Sequence, residues 1–564
     1  MKAVFLRYVL PAFVGVVAIT IGAYFYALPR VAKGDKQYGG VLNISSKGEK
    51  IILFPLADNT LEHHRVQQLI FEPLLKPSKS NRGWRYCLAN KITFDSTRQK
   101  LLIHLRKNVH FSDNDCFRFR SSELSAEDVA FSLSLACSKQ ANLEQDLILP
   151  ELISGGAVFY KAGLDPLKKS VGGIRVVDNY TIELTLTGSY NHFLNVLSSP
   201  SLGILSKHAA NYYGNNIKSN PVGTGPFMLA KHEAKRYTFE RNDNYWRYDR
   251  FGNQLPYIDQ VELRCGIQGQ RAHQLFLNNQ LDLLYDLPID DLGGAFGTLM
   301  DAKSGKNPLH EVYIKSAATV HFIQFNCASP PFNQLAVRRA FALAINANTI
   351  CNEVLMGEGR ELNNQFIPTT ARNKNPLVRL DNRPMAARIL EAKTLLSKAG
   401  YASMRAFPSI IFYLGSKKNT LGYKWSKALA QMLQQHLGVQ VVLKEQRAPL
   451  KMSGASMWRT GWVGDYPGAE SYLRLFYSRA QNPLHFKNEV VDSLYLSSIF
   501  AKNINRRNWA QERCEKAIID LQALIPIYTE DFIVLKQLRI RDFKLDDSGL
   551  LDYAKLFIKE LDKN

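Results

Sequence analysis

Helical and strand patterns alternate through the second half of this chain, and this alternation constrains its fold more than any other feature. An apolar stripe with helical spacing runs from Leu421 to Leu437 and ends at Gly438, a residue suited to a left-handed helix stop. An alternating strand, Val439 to Leu443, follows at once. Alternating elements of this kind favour α/β lobes with helix-covered sheets, and 564 residues are enough for more than one domain.

Other segments give shorter signals. A strand is predicted over Gly39–Ile44, a helix over Arg65–Leu75 and a half-buried strand over Lys100–Val109. Ser125, followed by two acids, predicts the start of a helix, because its side chain can cap free amide groups. Asn333 is predicted to cap a later helix.

The N-terminus contains an uncharged run, Tyr8–Leu28, which follows Lys2 and Arg7. This run is long enough to span a bilayer, and no small-residue cleavage site is evident after it. We therefore predict that residues 1–37 form a membrane anchor or a long signal segment, and that the rest of the chain is exported. The alternative is a buried core helix, which the terminal position beside a basic head disfavours.

The formal net charge is +21, and the basic residues are dispersed. Because no arginine-rich arm, zinc-finger spacing or RNA-binding aromatic motif is present, we expect no nucleic-acid partner. A basic surface near an anionic membrane is the favoured interpretation. The seven cysteines form no Cys-x-x-Cys motif, so we expect mostly buried free thiols, with one or two disulfides as the alternative.

Signatures of catalysis are missing. The sequence has no phosphate-binding loop, no nucleophile elbow and no zinc-binding His-Glu-x-x-His helix, so we expect no catalytic residues, metal or cofactor. The doublet His63-His64 is a poor chelate, since adjacent side chains point apart. Gly223-Thr-Gly225-Pro is too short for a dinucleotide loop and predicts a tight turn that uses the tolerance of glycine for positive φ.

A carboxylate in an aromatic- and glycine-rich turn is the main candidate for a binding site. Asp465 lies in this turn, close in sequence to Trp462 and Tyr466. An ammonium group enclosed in a low-dielectric cleft needs such a charged partner and hydrogen-bond acceptors. The alternative is that Asp465 caps a helix or fixes the Tyr-Pro turn. For Trp462, core packing is an equal alternative.

Six segments in order along the chain match one protein family. They are Gly39–Leu42, the block from Leu88 through Ser132, Asn220–Phe227, Glu240–Trp246 with Leu255–Asp259, Phe325–Asn346, and Ala523–Tyr528. In these segments the chain resembles the extracellular solute-binding proteins of the oligopeptide/dipeptide-binding class, family 5, which are the capture subunits of ATP-driven importers.

The resemblance implies an α/β, two-lobed, periplasmic-binding-protein-like fold with a hinge. It implies a discontinuous domain I, an inserted small domain and a second lobe. The expected division is domain I from residues 38–75, 205–305 and 528–564, the inserted domain II from 76–204, and domain III, the second lobe, from 306–527.

The resemblance also implies a function. The chain would be an exported, non-enzymatic, monomeric component that captures short peptides and delivers them to the permease and ATPase subunits of an ABC importer. It would act at the periplasmic face, tethered to the inner membrane. Asp465 would hold the α-ammonium of the peptide, with Trp462, Tyr466 and Asn326 nearby; for Asn326, structural hydrogen bonding is the alternative.

One departure from the family pattern leaves other ligands open. The Asp-Pro that usually follows the ammonium-binding acid is replaced here by Gly468-Ala469. The alternatives are therefore the same fold with a nickel chelate, haem or a sugar as its ligand, a membrane-anchored ligand sensor, or a hydrolase built on the binding fold. The missing nucleophile motifs count against the hydrolase.

Overall fold

A computed structural model describes most of the chain from residue 32 onwards. The described residues are 32–57, 60–78, 83–141, 149–285, 310–356, 359–362, 364–372, 381–403, 406–418, 420–447, 454–478, 486–546 and 548–559. Within these ranges no helix combines the length and the apolar character that a bilayer crossing requires. The run Tyr8–Leu28, on which the anchor prediction rests, lies outside them.

Nineteen strands are formed by the described residues. They are β1 (Val41–Ser45), β2 (Leu75–Pro77), β3 (Trp84–Tyr86), β4 (Ala89–Asp95), β5 (Lys100–Leu105), β6 (Ile174–Asp178), β7 (Thr181–Thr185), β8 (Phe227–Glu233), β9 (Arg236–Arg241), β10 (Gln260–Arg264), β11 (Leu283–Tyr285), β12 (His310–Phe325), β13 (Gly359–Glu361), β14 (Ile410–Tyr413), β15 (Val441–Lys444), β16 (Ser456–Trp462), β17 (Leu524–Gln537), β18 (Ile540–Arg541) and β19 (Phe557–Ile558).

The α-helices of the described residues lie between these strands. They are α1 (Leu61–Ile70), α2 (Ala126–Ala136), α3 (Leu149–Leu152), α4 (Gly156–Ala162), α5 (Tyr190–Val196), α6 (Lys207–Tyr213), α7 (Gly269–Leu277), α8 (Leu335–Ala344), α9 (Ala347–Thr349), α10 (Met385–Lys398), α11 (Leu421–Leu437), α12 (Glu470–Leu473), α13 (Glu489–Phe500) and α14 (Ile504–Asp520).

Two four-stranded sheets and their helices α1–α7 make up what we call the first lobe. One sheet has the order β1-β10-β9-β8, with β1 and β10 parallel, and the other has the antiparallel order β4-β5-β7-β6. The core of this lobe contains fully buried residues from both sheets, among them Leu42, Ile103 and Phe239. Because successive strand residues face opposite sides of a sheet, the alternating pattern of β5 buries Leu101, Ile103 and Leu105.

The second lobe is built on one end of a larger sheet, which has the order β11-β17-β12-β16-β14-β15 with β13 beside β17. We define it as β14–β16, the adjoining parts of β12 and β17, and helices α8–α14. Its cores surround Phe341 and Trp425 on one side and Phe366 and Tyr472 on the other. The strands β14, β15 and β16 are parallel, and helix α11 separates β14 from β15 along the chain, as the sequence pattern predicted.

The two long strands β12 and β17 connect the lobes. They pair antiparallel from His310↔Gln537 to Gln324↔Leu524, and β17 also pairs with β11 at its first-lobe end. Their register shifts between Ser316 and Thr319 and again between His321 and Phe322. Such irregularities bend a ladder locally, so the sheet changes direction where it passes from one lobe to the other.

Most local predictions are confirmed. Helix α2 begins after Ser125, whose amide and hydroxyl both donate to Asp128, and helix α11 ends at Gly438 with φ 76°. One cap is wrong, because the residue before α8 is Gln334 rather than Asn333. The helix expected over Arg65–Leu75 lies earlier, at Leu61–Ile70, because Thr60 caps it and the chain is already extended at Phe71.

The Gly223–Gly225 turn corrects another expectation. Neither glycine has a positive φ. Instead, both approach the end of α1 so closely that a Cβ at Gly223 would lie 2.0 Å from the carbonyl oxygen of Ile70, and one at Gly225 would lie 2.5 Å from its carbonyl carbon. The amide of Gly225 also donates to the carbonyl of Ile70 at 2.7 Å. Glycine is needed here for close approach and not for an unusual backbone angle.

All seven cysteines lie among the described residues, and all are free thiols. Six are buried and Cys327 is partly exposed. The expectation of mostly buried free thiols is confirmed.

Candidate functional site

A cavity of about 1350 Å³ lies between the two lobes. The first lobe contributes the end of β1, the start of α1 and the residues around Ile267, while the second lobe contributes the start of α11 and the end of β16. Phe532 and Glu530 of the connecting strand β17 also line it. Its volume exceeds the few hundred to 1000 Å³ usual for small-ligand pockets, so it can enclose an extended molecule of several residues.

Strand β16 presents an open backbone edge to this cavity. On one side its residues pair with β12 as far as Trp462↔Val320. On the other side β14 pairs only as far as Trp458↔Tyr413, so that, within the described residues, the backbone after Trp458 has no strand neighbour on that side. Arg459, Gly461 and Trp462 of this stretch line the cavity. Backbone N–H and C=O groups on such an edge can pair with an extended ligand chain.

Asp465 lies at the wall of the cavity but is almost buried, with 7% of its surface exposed. The guanidinium Nη2 of Arg474 donates to its Oδ2 at 2.5 Å, and both side chains are at most 3% exposed. A carboxylate so enclosed requires a charged partner, because an uncompensated buried charge costs several kcal/mol. The protein therefore supplies its own counter-ion to the acid that the sequence singled out.

Trp462 also lines the cavity, and it is held in place by the same turn. Its indole N–H donates to the carbonyl of Ser471 at 3.0 Å, and the guanidinium of Arg474 lies 5.1 Å from its ring centre. Gly464 allows the turn to fold tightly, because a Cβ there would lie 2.4 Å from the hydroxyl of Ser471. Arg474 thus contacts both Asp465 and Trp462.

The other two predicted site residues lie behind the cavity wall. Tyr466 is 3% exposed and packs edge-on against His192 of the first lobe, with ring centres 5.6 Å apart. Asn326 is fully buried. Its side-chain Nδ2 donates to the carbonyl of Gly454 at 3.1 Å, and its backbone N–H donates to the carbonyl of Ser456. The structure therefore brings Asp465 and Trp462 to the cavity and places Tyr466 and Asn326 in supporting positions.

Arg459 is a cavity residue that the sequence reasoning missed. Its Nε donates to the carbonyl of Leu414 at 3.0 Å, and its guanidinium lies 5.6 Å from the ring of Trp425. Among the described residues no carboxylate is within ion-pair distance of it, and burial lowers the pKa of its guanidinium. The only sequence signal for Arg459 is its position three residues before Trp462.

A buried charge cluster joins the lobes beside the Asp465 turn. Arg507 donates from Nη2 to Oε2 of Glu470 at 2.9 Å and from Nε to Oε1. Burial opposes ionisation of Glu470, but the Arg507 guanidinium outweighs it and lowers the pKa of this carboxyl to about 2. His192 of the first lobe lies 4.0 Å from the same carboxylate, and burial lowers the pKa of its imidazole to about 4.

Comparison with known proteins supports the family suggested by the sequence. The sequence profile of "Bacterial extracellular solute-binding proteins, family 5 Middle" matches residues 85–483. The chain is 23% identical to the periplasmic oligopeptide-binding protein OppA of Escherichia coli, over 75% of both chains. It is 25% identical to the probable deoxycholate-binding periplasmic protein YgiS of the same organism, over 82% of this chain and 83% of that protein.

The fold has solved relatives. The structure of the Escherichia coli murein tripeptide binding protein MppA superposes with a TM-score of 0.77 at 19% identity, covering 94% of this chain and 99% of that one. This similarity confirms the predicted α/β, two-lobed fold of the periplasmic-binding-protein type. With the profile match across most of its length, the chain belongs to the bacterial extracellular solute-binding proteins of family 5.

Proposed function

We propose that this protein captures short peptides in the cavity between its lobes and delivers them to an ABC importer. The observation that carries the proposal is the open edge of β16, which runs along the cavity from Arg459 to Trp462. A peptide that adds to this edge is held by main-chain hydrogen bonds, which give affinity without reading side chains. On the facing wall, Ile44 and Ser45 of the sheet-edge strand β1 line the cavity.

The ends of the peptide would meet opposite charges. We propose that its α-ammonium binds beside Asp465 and Trp462, where it shares the carboxylate with Arg474. Arg459, which is ion-paired with no described acid, would receive the terminal carboxylate. Tyr466 and Asn326 would support the turn and the strand end without touching the ligand.

Closure of the lobes would enclose the ligand. We propose that β12 and β17 act as the hinge between a first lobe of residues 38–305 and 528–564, in which 76–204 form the inserted domain, and a second lobe of residues 306–527. The register shifts near Ser316 lie at the crossing. Two-lobed binders close by rotation about such strand connections.

The partners and location follow from the same proposal. The protein would act at the periplasmic face as a monomer, with residues 1–37 as a tether to the inner membrane, and it would present bound peptide to separate permease and ATPase subunits. A tether would keep the binder close to the permease. It would thereby raise the effective concentration of each partner near the other.

Native mass spectrometry of the full chain, purified in mild detergent from an exporting host, tests the function. We expect co-purified short peptides, released on denaturation, because closed lobes bury what they capture. Asp465→Ala should lose them. Since that change also removes the counter-ion of Arg474, Arg459→Gln is the second variant, and it should retain fewer peptides while leaving the buried pair intact. Arg513→Gln, on an exposed face of α14, is the matched control.

A non-peptide ligand is the second candidate, and one observation favours it. Asp465 is already neutralised by Arg474, so a ligand without an ammonium group leaves no charge unpaired. One relative is named as a probable deoxycholate-binding protein and another as a nickel-binding protein. A single organic molecule, haem or metal chelate in the mass spectrum, unchanged in Asp465→Ala, would replace the peptide proposal and leave the fold in place.

A further inference from the structure

The charges that line the cavity are unequal in number. Among the described residues, seven basic and five acidic side chains line it. The basic ones are Lys47, Arg65, Lys417, Lys418, Lys424, Arg447 and Arg459, and the acidic ones are Glu62, Glu445, Asp465, Glu530 and Asp531. The excess of positive charge is larger than the count suggests, because Asp465 and Asp531 each pair with an arginine that does not line the cavity.

Four of the five acids bind groups of the protein itself. Asp465 pairs with Arg474, Glu530 with His321 at 2.6 Å and Asp531 with Arg360 at 2.7 Å. Glu62 accepts from the hydroxyl of Ser46 at 2.5 Å and from the amide of Gly48 at 3.1 Å. Among the described residues, the exposed Glu445 forms no side-chain hydrogen bond or ion pair.

Three of the basic residues form a patch on the second-lobe wall, which we call the basic turn: Lys417, Lys418 and Arg447. The backbone of the turn is fixed, because the carbonyl of Lys417 accepts from the hydroxyl and the amide of Thr420 at 2.7 and 3.1 Å. The stem of Arg447 lies against Gly415, where a Cβ would be 3.3 Å from its Cγ. No described carboxylate forms an ion pair with any of the three.

Exposed lysines are common on any solvated surface, but the side chains of the basic turn lie at the wall of the cavity. The basic turn faces a cleft with walls on both sides, and low-dielectric walls concentrate the potential of the charges that line them. A ligand in the cavity experiences this potential along its second-lobe side. Arg459 of β16 lies beside this segment, since its Nε donates to the carbonyl of Leu414, but it is partly buried, whereas the three side chains of the basic turn are exposed.

Resting on the proposed peptide-binding function, we infer that the cavity selects peptides with acidic side chains, and that Lys417, Lys418 and Arg447 determine this selectivity. Glutamate or aspartate side chains beside the basic turn gain favourable charge interactions, whereas lysine or arginine side chains are repelled. Neutral peptides keep the backbone contacts with β16 and bind with intermediate affinity.

Isothermal titration of the full chain in mild detergent with three tetrapeptides tests the inference: Ala-Glu-Glu-Ala, Ala-Gln-Gln-Ala and Ala-Lys-Lys-Ala. We expect the glutamate peptide to bind about tenfold more tightly than the glutamine peptide, since each exposed charge pair contributes modestly. The lysine peptide should be the weakest of the three. The preference should shrink in 0.5 M NaCl, because salt screens partly exposed charges.

Two charge-matched variants locate the effect. The triple variant Lys417→Gln, Lys418→Gln, Arg447→Gln should bring the ratio of the glutamate and glutamine dissociation constants to about one. The control variant Lys398→Gln, Lys427→Gln, Lys444→Gln removes the same charge from exposed second-lobe positions that do not line the cavity, and it should keep the preference.

The outcomes separate this inference from the function on which it rests. Equal binding of the glutamate and glutamine peptides would overturn the selectivity and leave peptide capture standing. An unchanged preference in the triple variant would overturn the role of the basic turn. Binding of none of the three peptides would overturn both the selectivity and the proposed function.

Discussion

At the scale of single residues, buried ion pairs organise the neighbourhood of the candidate site. Asp465 is neutralised by Arg474, and Glu470, five residues further, is neutralised by Arg507. Breaking a buried pair by removing one partner costs far more than breaking a surface pair, because the remaining charge stays buried. The turn that holds Asp465 therefore depends on the two buried arginines, Arg474 and Arg507.

Glu470→Gln should destabilise the protein in a pH-dependent way. The folded-state pKa of Glu470 is lowered from 4.5 to about 2, so its ionised form stabilises the fold above pH 4.5, and this contribution is lost as the pH falls towards 2. We expect the variant to be less stable by about 3 kcal/mol at pH 7, with the difference shrinking between pH 4.5 and 2. Urea denaturation at a series of pH values measures this.

The control for this measurement is Asp520→Asn, which removes an exposed helical ion pair with Lys516. It should change the free energy of unfolding by less than about 1 kcal/mol at pH 7. A Glu470→Gln variant that matches the unmodified protein at pH 7, or a difference that does not depend on pH, would contradict the assigned role of the pair.

At the scale of elements, the turn before β8 was predicted correctly, but the physical reason for its glycines differs from the predicted one. The sequence predicts a turn at Gly223–Gly225 and the structure has one, but the glycines are needed because the backbone of α1 passes against them. The contact joins a helix and a turn about 150 residues apart. Sequence spacing cannot reveal such an approach, because it depends on how segments far apart in the chain pack together.

Gly225→Ala should therefore be strongly destabilising. The added Cβ would lie 2.5 Å from backbone atoms of Leu69 and Ile70, which cannot move as a flexible side chain can. We expect a loss of about 3 kcal/mol, the upper range for overpacking, measured by urea denaturation. Gly172→Ala is the control, because no atom lies within 4 Å of its added Cβ. Equal stability of the two variants would show that α1 can move away from the turn.

At the scale of the whole molecule, no disulfide links the lobes or braces either of them. All seven thiols are free, and burial raises the pKa of Cys87 and Cys351 to about 12. Their reactivity is suppressed, because the thiolate is the reactive form and these groups are also shielded from solvent. The fold depends on its cores and on the sheet shared by both lobes.

Titration with a thiol reagent checks this. In the native protein we expect slow modification led by Cys327, the one cysteine that is partly exposed. After unfolding in guanidinium chloride without reductant, seven thiols should react. A total of five or fewer reactive thiols would show that at least one disulfide had formed. That result would contradict a fold with seven free thiols.

The sequence alone was sufficient for the fold class and for many of the element boundaries. The stripe from Leu421 to Leu437, its stop at Gly438 and the capping box at Ser125 are local patterns, and local hydrogen bonding and burial determine them. The six ordered segments determined the family, because their order survives where overall identity is low. These inferences need only residues that are near one another along the chain.

The site itself was decided by tertiary structure. The sequence pointed to Asp465 and Trp462. It did not point to Arg474 as the counter-ion of Asp465, to Arg459 as an arginine with no ion pair to a described acid, or to the basic turn. Pairing of charges depends on which side chains the fold encloses together, and its energy depends on burial that no single segment defines. The sequence by itself determined what family of fold this chain adopts, and only the packing of two lobes decided which charges remain available to a ligand.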